Sequence, residues 1–122
     1  MKDFDRAYLL TATVAGRQYH SADEAWPSLH IGKILSLQYE PDNRHDAYAV
    51  AVMAPVGDTV LKLGYLPRTA NETLATMLAM GWGDAFRCTI SRLDPTASAD
   101  SQIGVTVAVI RKPDAKSDTD SE

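Results

Sequence analysis

The sequence predicts a mainly β chain of the α+β kind, with about six short strands and one helix in a small barrel or strongly curved sheet. Three observations predict it. Apolar residues alternate with period two in several short segments. Turn signals separate those segments at short spacing. A single segment shows apolar residues at helical spacing, bounded by start and stop residues. Strands that bury one face and are joined by short connections close on themselves or wrap, and a lone helix then plugs one end.

The first strand is expected at residues 8–14, where Leu10, Ala12 and Val14 alternate with Leu9, Thr11 and Thr13 before Gly16 ends the run. Residues 17–30 read as irregular, with Trp26 and Leu29 as apolar anchors and a short helical turn over 21–26 before Pro27. The second strand covers 31–39, with Leu35, Leu37 and Tyr39 on one face. Residues 48–53 are apolar on both faces, which predicts a central strand. Residues 55–58, Pro-Val-Gly-Asp, signal a loop, and 60–66 follow as a hairpin partner.

The helix is expected at about 69–80. Thr69 and Glu72 fit a capping box, Ala70, Leu74, Met77 and Leu78 recur on one face, and Gly81 supplies a left-handed stop. Two further strands follow at 85–93 and 102–110, where Ile103, Val105, Val107 and Val109 share a face, with a polar loop at 94–101. In the first of these, Cys88 falls on the face of Phe86 and Ile90 and reads as a small buried hydrophobe.

One domain is the expectation for 122 residues, 45% of them hydrophobic. Residues 1–6 are polar and read as a loose start, 7–112 as the domain, and 113–122 as a disordered acidic tail. The formal charge is −4. The tail holds four acids and one Lys, which leaves 11 basic and 12 acidic residues in the body. A nearly neutral body excludes indiscriminate polyanion binding, which needs a strong positive field. The lone Cys88 excludes an internal disulfide. No apolar run has the length of a membrane span or a signal core, so a cytoplasmic protein without a membrane partner is expected.

Residues 40–50 read Glu-Pro-Asp-Asn-Arg-His-Asp-Ala-Tyr-Ala-Val. A turn between strands needs only Gly, Asn, Asp or Pro. This one is longer and holds three acids, an Asn, a His and an Arg within the seven residues 40–46. Loops of that kind on a rigid sheet are where binding groups sit. His20, His30 and His45 with Asp46 show no metal-ligand spacing and no nucleophile elbow accompanies them, so neither catalysis nor a metal or other cofactor is expected.

The ordered pattern as a whole resembles a HIRAN domain. The blocks that carry the likeness are Gly16-Arg-Gln-Tyr19, then Trp26-x-x-Leu29-x-x-Gly32. They continue with Leu35-x-Leu37-x-x-Glu40-Pro-Asp-Asn-x-x-Asp46-x-x-Ala49-Val50-x-Val52 and with Lys62-Leu-Gly-Tyr-Leu-Pro-Arg68 ahead of a helix ending at Gly81. The resemblance spans about residues 9–110. It implies a modified OB-like barrel, found fused to helicase-like DNA remodelling proteins and also alone in bacteria, of which this chain resembles the standalone kind. It also implies a setting in DNA repair and a partner: single-stranded DNA, captured at a free 3′ end.

By position, the resemblance implies DNA contacts from Arg17, Gln18, Tyr19 and His20 after the first strand, Asn43, His45 and Asp46 in the polar turn, and Tyr65 and Arg68 before the helix. Rings at Tyr19 and His45 would sandwich a base, at roughly 1–3 kcal/mol per stacked base. Asp46 would accept from a terminal hydroxyl, and Arg68 with the helix-start amides would hold a phosphate. The chain departs from the family in having His20 and His45 where aromatic residues are common, which weakens stacking and makes it pH-dependent. Arg17 and Gln18 share the place of a phosphate-binding Arg.

Plainer readings stand beside these. Asn43 and Asp46 could cap their own turn. Tyr65 could be a core-edge ring and Arg68 a solvated residue at a helix start, where a cation opposes the dipole. Trp26 and Trp82 read as packing anchors. The alternative function is a protein-interaction module on the same barrel with little or no DNA binding.

Overall fold

The computed structural model describes residues 6–16 and 20–110. The expected acidic tail at 113–122 and the site candidates Arg17, Gln18 and Tyr19 lie outside the described residues. Of the expected loose start only Arg6 is described, and it already pairs with Ile110.

Six strands form: β1 (Arg6–Thr13), β2 (Ile34–Tyr39), β3 (Val50–Val56), β4 (Thr59–Tyr65), β5 (Phe86–Leu93) and β6 (Ile103–Ile110). Two short helices accompany them, α1 (Ala22–Ala25) and α2 (Glu72–Ala79). The strands make one antiparallel sheet in the order β1-β6-β5-β2-β3-β4. β2 pairs with β5 through Ile34 and Leu35 alone and with β3 through the four residues that follow, so it hands the sheet from one half to the other.

That order leaves β1 and β4 as edges, and the sheet is not closed into the expected barrel by a ladder between them. The two edges do touch. Ala15 and Tyr65 form an isolated antiparallel bridge, each amide bonding the other's carbonyl at 2.8 and 2.9 Å. Gly64 makes this contact possible: its φ is +156°, and a Cβ there would sit 2.4 Å from the Ala15 carbonyl oxygen. A side chain at that position would prise the edges apart.

The alternation is met where the sheet is buried. Ile103, Val105 and Val107 are fully buried, as are Val50 and Val52 of β3, which lies between two neighbours as its apolar composition requires. Cys88 joins this core, and burial pushes its thiol up to about 12. Val109, at the end of its strand, is instead exposed. Pro55 and Val56 belong to β3 rather than to a loop, and only Gly57 and Asp58 turn the chain. Trp26 packs against the core, whereas Trp82 is 43% exposed.

α2 starts later than the capping-box reading predicts. Residues Arg68–Ala70 form a 3₁₀ turn, so Thr69 lies before the helix and is exposed. Asn71 is the N-cap residue and makes no side-chain cap bond to the helix. The stop is as expected. Gly81 has φ +91°, its amide bonds the Leu78 carbonyl at 3.1 Å, and the Trp82 amide bonds Met77 at 3.0 Å, which is a Schellman ending. Leu74 and Ala75 bury the inner face of α2, which packs on β2. α1 is the helical turn expected near 21–26; it lies on β4, with the Ser21 amide bonded to the Lys62 carbonyl at 2.9 Å.

Candidate nucleic-acid interface

The meeting of the two sheet edges opens a cleft of about 520 Å³, a size that suits a small ligand. Its walls include Ala15 and Gly16 after β1, His20 before α1, Asn43, His45, Asp46 and Ala49 of the polar turn, and residues 65–68 at the end of β4. Every described site candidate from the sequence therefore faces one space: His20, Asn43, His45, Asp46, Tyr65 and Arg68. They come from three stretches far apart in the chain, brought together by the Ala15–Tyr65 bridge and by the turn that folds over it.

The polar turn is held by its own side chains. Asn43 Oδ1 accepts the amides of His45 at 2.9 Å and Asp46 at 3.0 Å, and its Nδ2 donates to Glu40 at 3.2 Å. The Tyr39 hydroxyl donates to the Ala47 carbonyl at 3.0 Å. The capping role open to Asn43 is thus real, and its oxygen is committed to the turn. Asp46 divides its carboxylate: Oδ1 accepts the Tyr48 amide at 2.9 Å, and Oδ2 accepts Asn71 Nδ2 at 2.8 Å. The Arg68 guanidinium lies 3.9 Å from Oδ2 and also donates to the His45 carbonyl. The Tyr48 amide holds the Asp46 carboxyl below the usual carboxylate range against the opposing pull of burial, and Asn71 and Arg68 add to that. At neutral pH this group is an anion that only accepts hydrogen bonds.

A second network centres on Tyr65, which lines the cleft. The Tyr65 hydroxyl donates to Glu40 Oε1 at 2.8 Å and accepts from Lys62 Nζ at 3.1 Å. Lys62 forms an ion pair with Glu40 Oε2 and stands 5.1 Å from the Tyr65 ring centroid. Burial pushes the Glu40 carboxyl up, but the bonds from Lys62, Tyr65 and Asn43 together outweigh it and hold the group low. Burial also works against the Lys62 charge, and Glu40 and Tyr65 overcome it, so Lys62 titrates above its ordinary value. His20 meets Tyr65 edge to face, with ring centroids 5.2 Å apart. Burial and the nearby Lys62 charge lower the His20 imidazole, with Glu40 opposing, so it is largely neutral at pH 7.

Sequence reasoning missed Glu40, Lys62 and Asn71. Glu40 and Lys62 stood inside the recognised blocks, but Glu40 reads as the residue that closes a strand. Asn71 is the one buried polar side chain among the described residues, 2% exposed. Its place beside a capping signal concealed a tertiary role. The dipole argument about Arg68 also falls away, because Arg68 sits in the 3₁₀ turn ahead of α2 and not in the helix's first turn.

An antiparallel sheet whose edges meet beside a side-chain-rich turn and a short helix defines a small β module with a single-sided cleft. The chain matches the HIRAN domain family over residues 8–109, and it belongs to that family. Two solved structures are similar to it. One is the crystal structure of a protein from Lactobacillus plantarum, 24% identical, with a TM-score of 0.72, covering 88% of this chain and 97% of that one. The other is the crystal structure of the HIRAN domain of human HLTF, 16% identical, with a TM-score of 0.59, covering 89% of this chain and 82% of that one. At these identities the likeness is one of fold. No curated protein matches the chain. Among the described residues no helix is long and apolar enough to cross a membrane.

Proposed function

We propose that the cleft binds the end of a single DNA strand, with a free 3′ hydroxyl on Asp46. One observation carries this reading. Asp46 is fixed in orientation by the Tyr48 amide and Asn71, is kept ionised, and stands on the wall of a cleft large enough for a nucleotide. An ionised carboxylate accepts a hydrogen bond from a hydroxyl and repels a phosphate in the same place. It therefore distinguishes a finished end from a phosphorylated or continuing one. Arg68 supplies a positive, exposed guanidinium next to it. With five N–H donors it can keep its bond to the His45 carbonyl and still meet a phosphate. The His45 ring and the Tyr65–His20 pair offer faces and edges for a base. Binding without catalysis suits a module of this family.

The test is fluorescence anisotropy of a short labelled strand at low salt, with a 3′ hydroxyl or a 3′ phosphate. The hydroxyl end is expected to bind more tightly, and Asp46→Asn to reduce the preference. Equal affinity for the two ends would remove the role of Asp46. Absence of binding to either would remove the DNA reading.

A protein partner is the second reading. The observation in its favour is that Arg68, the cation in the cleft wall among the described residues, and Lys62, which bonds Tyr65 behind that wall, already face carboxylates, Asp46 and Glu40. A nearly neutral wall favours a partner that brings few charges. Salt separates the two: DNA binding weakens steeply as salt rises, with a slope set by the phosphates neutralised.

A further inference from the structure

Beside the first cleft lies a second groove, of about 390 Å³. The two share Pro67 in their walls. They also share their framing segments. Ala15 and Gly16 line the first and Thr11 and Thr13 the second; Arg68 lines the first and Thr69 the second. Both therefore follow one seam, where the end of β1 approaches the chain leaving β4. Thr13 and Ala15 lie ~6.6 Å apart if the chain is extended there, a step comparable to one nucleotide of an extended single strand.

The chemistry of the second groove differs from that of the first. Its polar lining consists of hydroxyls from Thr11, Thr13, Thr69 and Ser91 and the guanidinium of Arg92, and among the described residues no acidic side chain lines it. Asp94 lies near enough to interact with Arg92 but is not part of the wall. Arg92 is aimed by the sheet. The β5–β6 register shifts between Ile90 and Arg92, a bulge that re-aims the side chains around it. Arg92 then pairs with Gly104, where a Cβ would stand 3.1 Å from Arg92 Cβ and 3.4 Å from its Nε. The guanidinium arm thus lies across the space that Gly104 leaves empty, on the floor of the groove. Hydroxyl donors around one guanidinium, without a competing carboxylate among the described residues of the wall, suit a phosphodiester.

We propose that this groove is a backbone subsite, with Arg92 and the hydroxyls of Thr11, Thr13, Thr69 and Ser91 holding a phosphodiester of the strand whose terminus occupies the first cleft. The proposal rests on the DNA-end reading and extends it from a single nucleotide to a directional path along the seam. It makes affinity depend on ligand length. A dinucleotide reaches only the first cleft, while a hexanucleotide also reaches Arg92.

The experiment compares anisotropy of 5′-labelled dinucleotide and hexanucleotide strands, both with 3′ hydroxyls, on the full chain and on Arg92→Gln. Gly104→Ala is a second variant that crowds the same arm without removing its charge. The wild type is expected to bind the hexanucleotide more tightly. Arg92→Gln should weaken the hexanucleotide roughly three- to tenfold, the loss of one charged hydrogen-bonding partner. It should leave the dinucleotide unchanged and lower the salt slope for the longer strand by about one. Gly104→Ala should act in the same direction and more weakly. Unchanged hexanucleotide affinity in Arg92→Gln, with the wild type binding both strands, overturns the subsite and leaves the end-binding reading intact. Equal loss on both strands overturns it as well, since the effect then does not depend on length. No binding of either strand to the wild type overturns the end-binding reading, and the subsite with it.

Discussion

Strand β3 is bounded by two turns of opposite character. At its far end, Gly57 and Asp58 alone reverse the chain into β4. Gly57 has φ +60° and Asp58 a negative φ, the pattern of a type II′ hairpin turn, and both residues are exposed. At the near end, residues 40–49 make the same reversal from β2. That turn contains no glycine and no positive φ. Its shape comes from side chains: Asn43 holds two amides, Asp46 holds a third, and Tyr39 reaches back to Ala47. Joining antiparallel strands needs only the first kind of turn. The second kind carries functional groups whose positions are fixed by hydrogen bonds, and it is correspondingly sensitive to the loss of any one partner and to pH.

The largest expected effect breaks the seam behind the side-chain-built turn. Gly64→Ala forces a Cβ onto the Ala15 carbonyl and should cost about 2–3 kcal/mol of stability by overpacking and backbone strain. Urea unfolding reads this directly, and a wild-type midpoint would show that the edges can part freely. Next comes the anchor of the turn. Asn71→Ala removes the donor to Asp46 from a buried site and should cost about 2 kcal/mol. Gly57→Ala at the tight turn should cost only about 1 kcal/mol, because a Cβ there meets open space and only the left-handed conformation opposes it. If Gly57→Ala proved the more damaging of the two, the contrast between the turns would collapse.

Acidification should follow. The Asp46 and Glu40 carboxyls both titrate lower in the folded protein than in the unfolded chain. Their stabilising contribution is fully present above the ordinary carboxylate range and is lost as pH falls through their folded values. The urea midpoint should therefore drop between neutral pH and ~pH 3, and Asp46→Asn should shrink that drop. An undiminished drop in the variant would assign the acid sensitivity to other groups. The smallest effect belongs to the tight turn again. Asp58→Ala should change stability by no more than about 0.5 kcal/mol, and a larger loss would show that this turn also depends on its side chain.

Much of this was legible in order along the chain. Period-two alternation located four of the six strands, because a residue that must face the core every second position leaves that mark wherever one face is buried; β3 was marked by being apolar on both faces and β4 by the turn signal before it. Gly81 marked the end of α2 because few other residues adopt its conformation. The polar turn stood out by holding more chemistry than a reversal requires. Legibility failed at the start of α2 and along the cleft walls. Thr69 and Glu72 have the spacing of a capping box, but the 3₁₀ turn at Arg68–Ala70 delays the helix. Asn71 turns its side chain away from its own helix to meet Asp46, 25 positions earlier. Local propensity cannot foresee a partner at that distance.

By itself the sequence determined the strand segments, the single long helix, the turn worth attention and, through its recognisable blocks, the family. Those are consequences of local periodicity and of residue types that backbone geometry demands. Only the tertiary structure decided that the sheet's edges touch at Ala15 and Tyr65 rather than forming a full ladder. It alone decided that Glu40, Lys62 and Tyr65 share one network and that Asn71 steadies Asp46. Those contacts join residues 22 to 50 positions apart. They exist because burial makes an unpaired polar group costly once folding has brought its partner within reach.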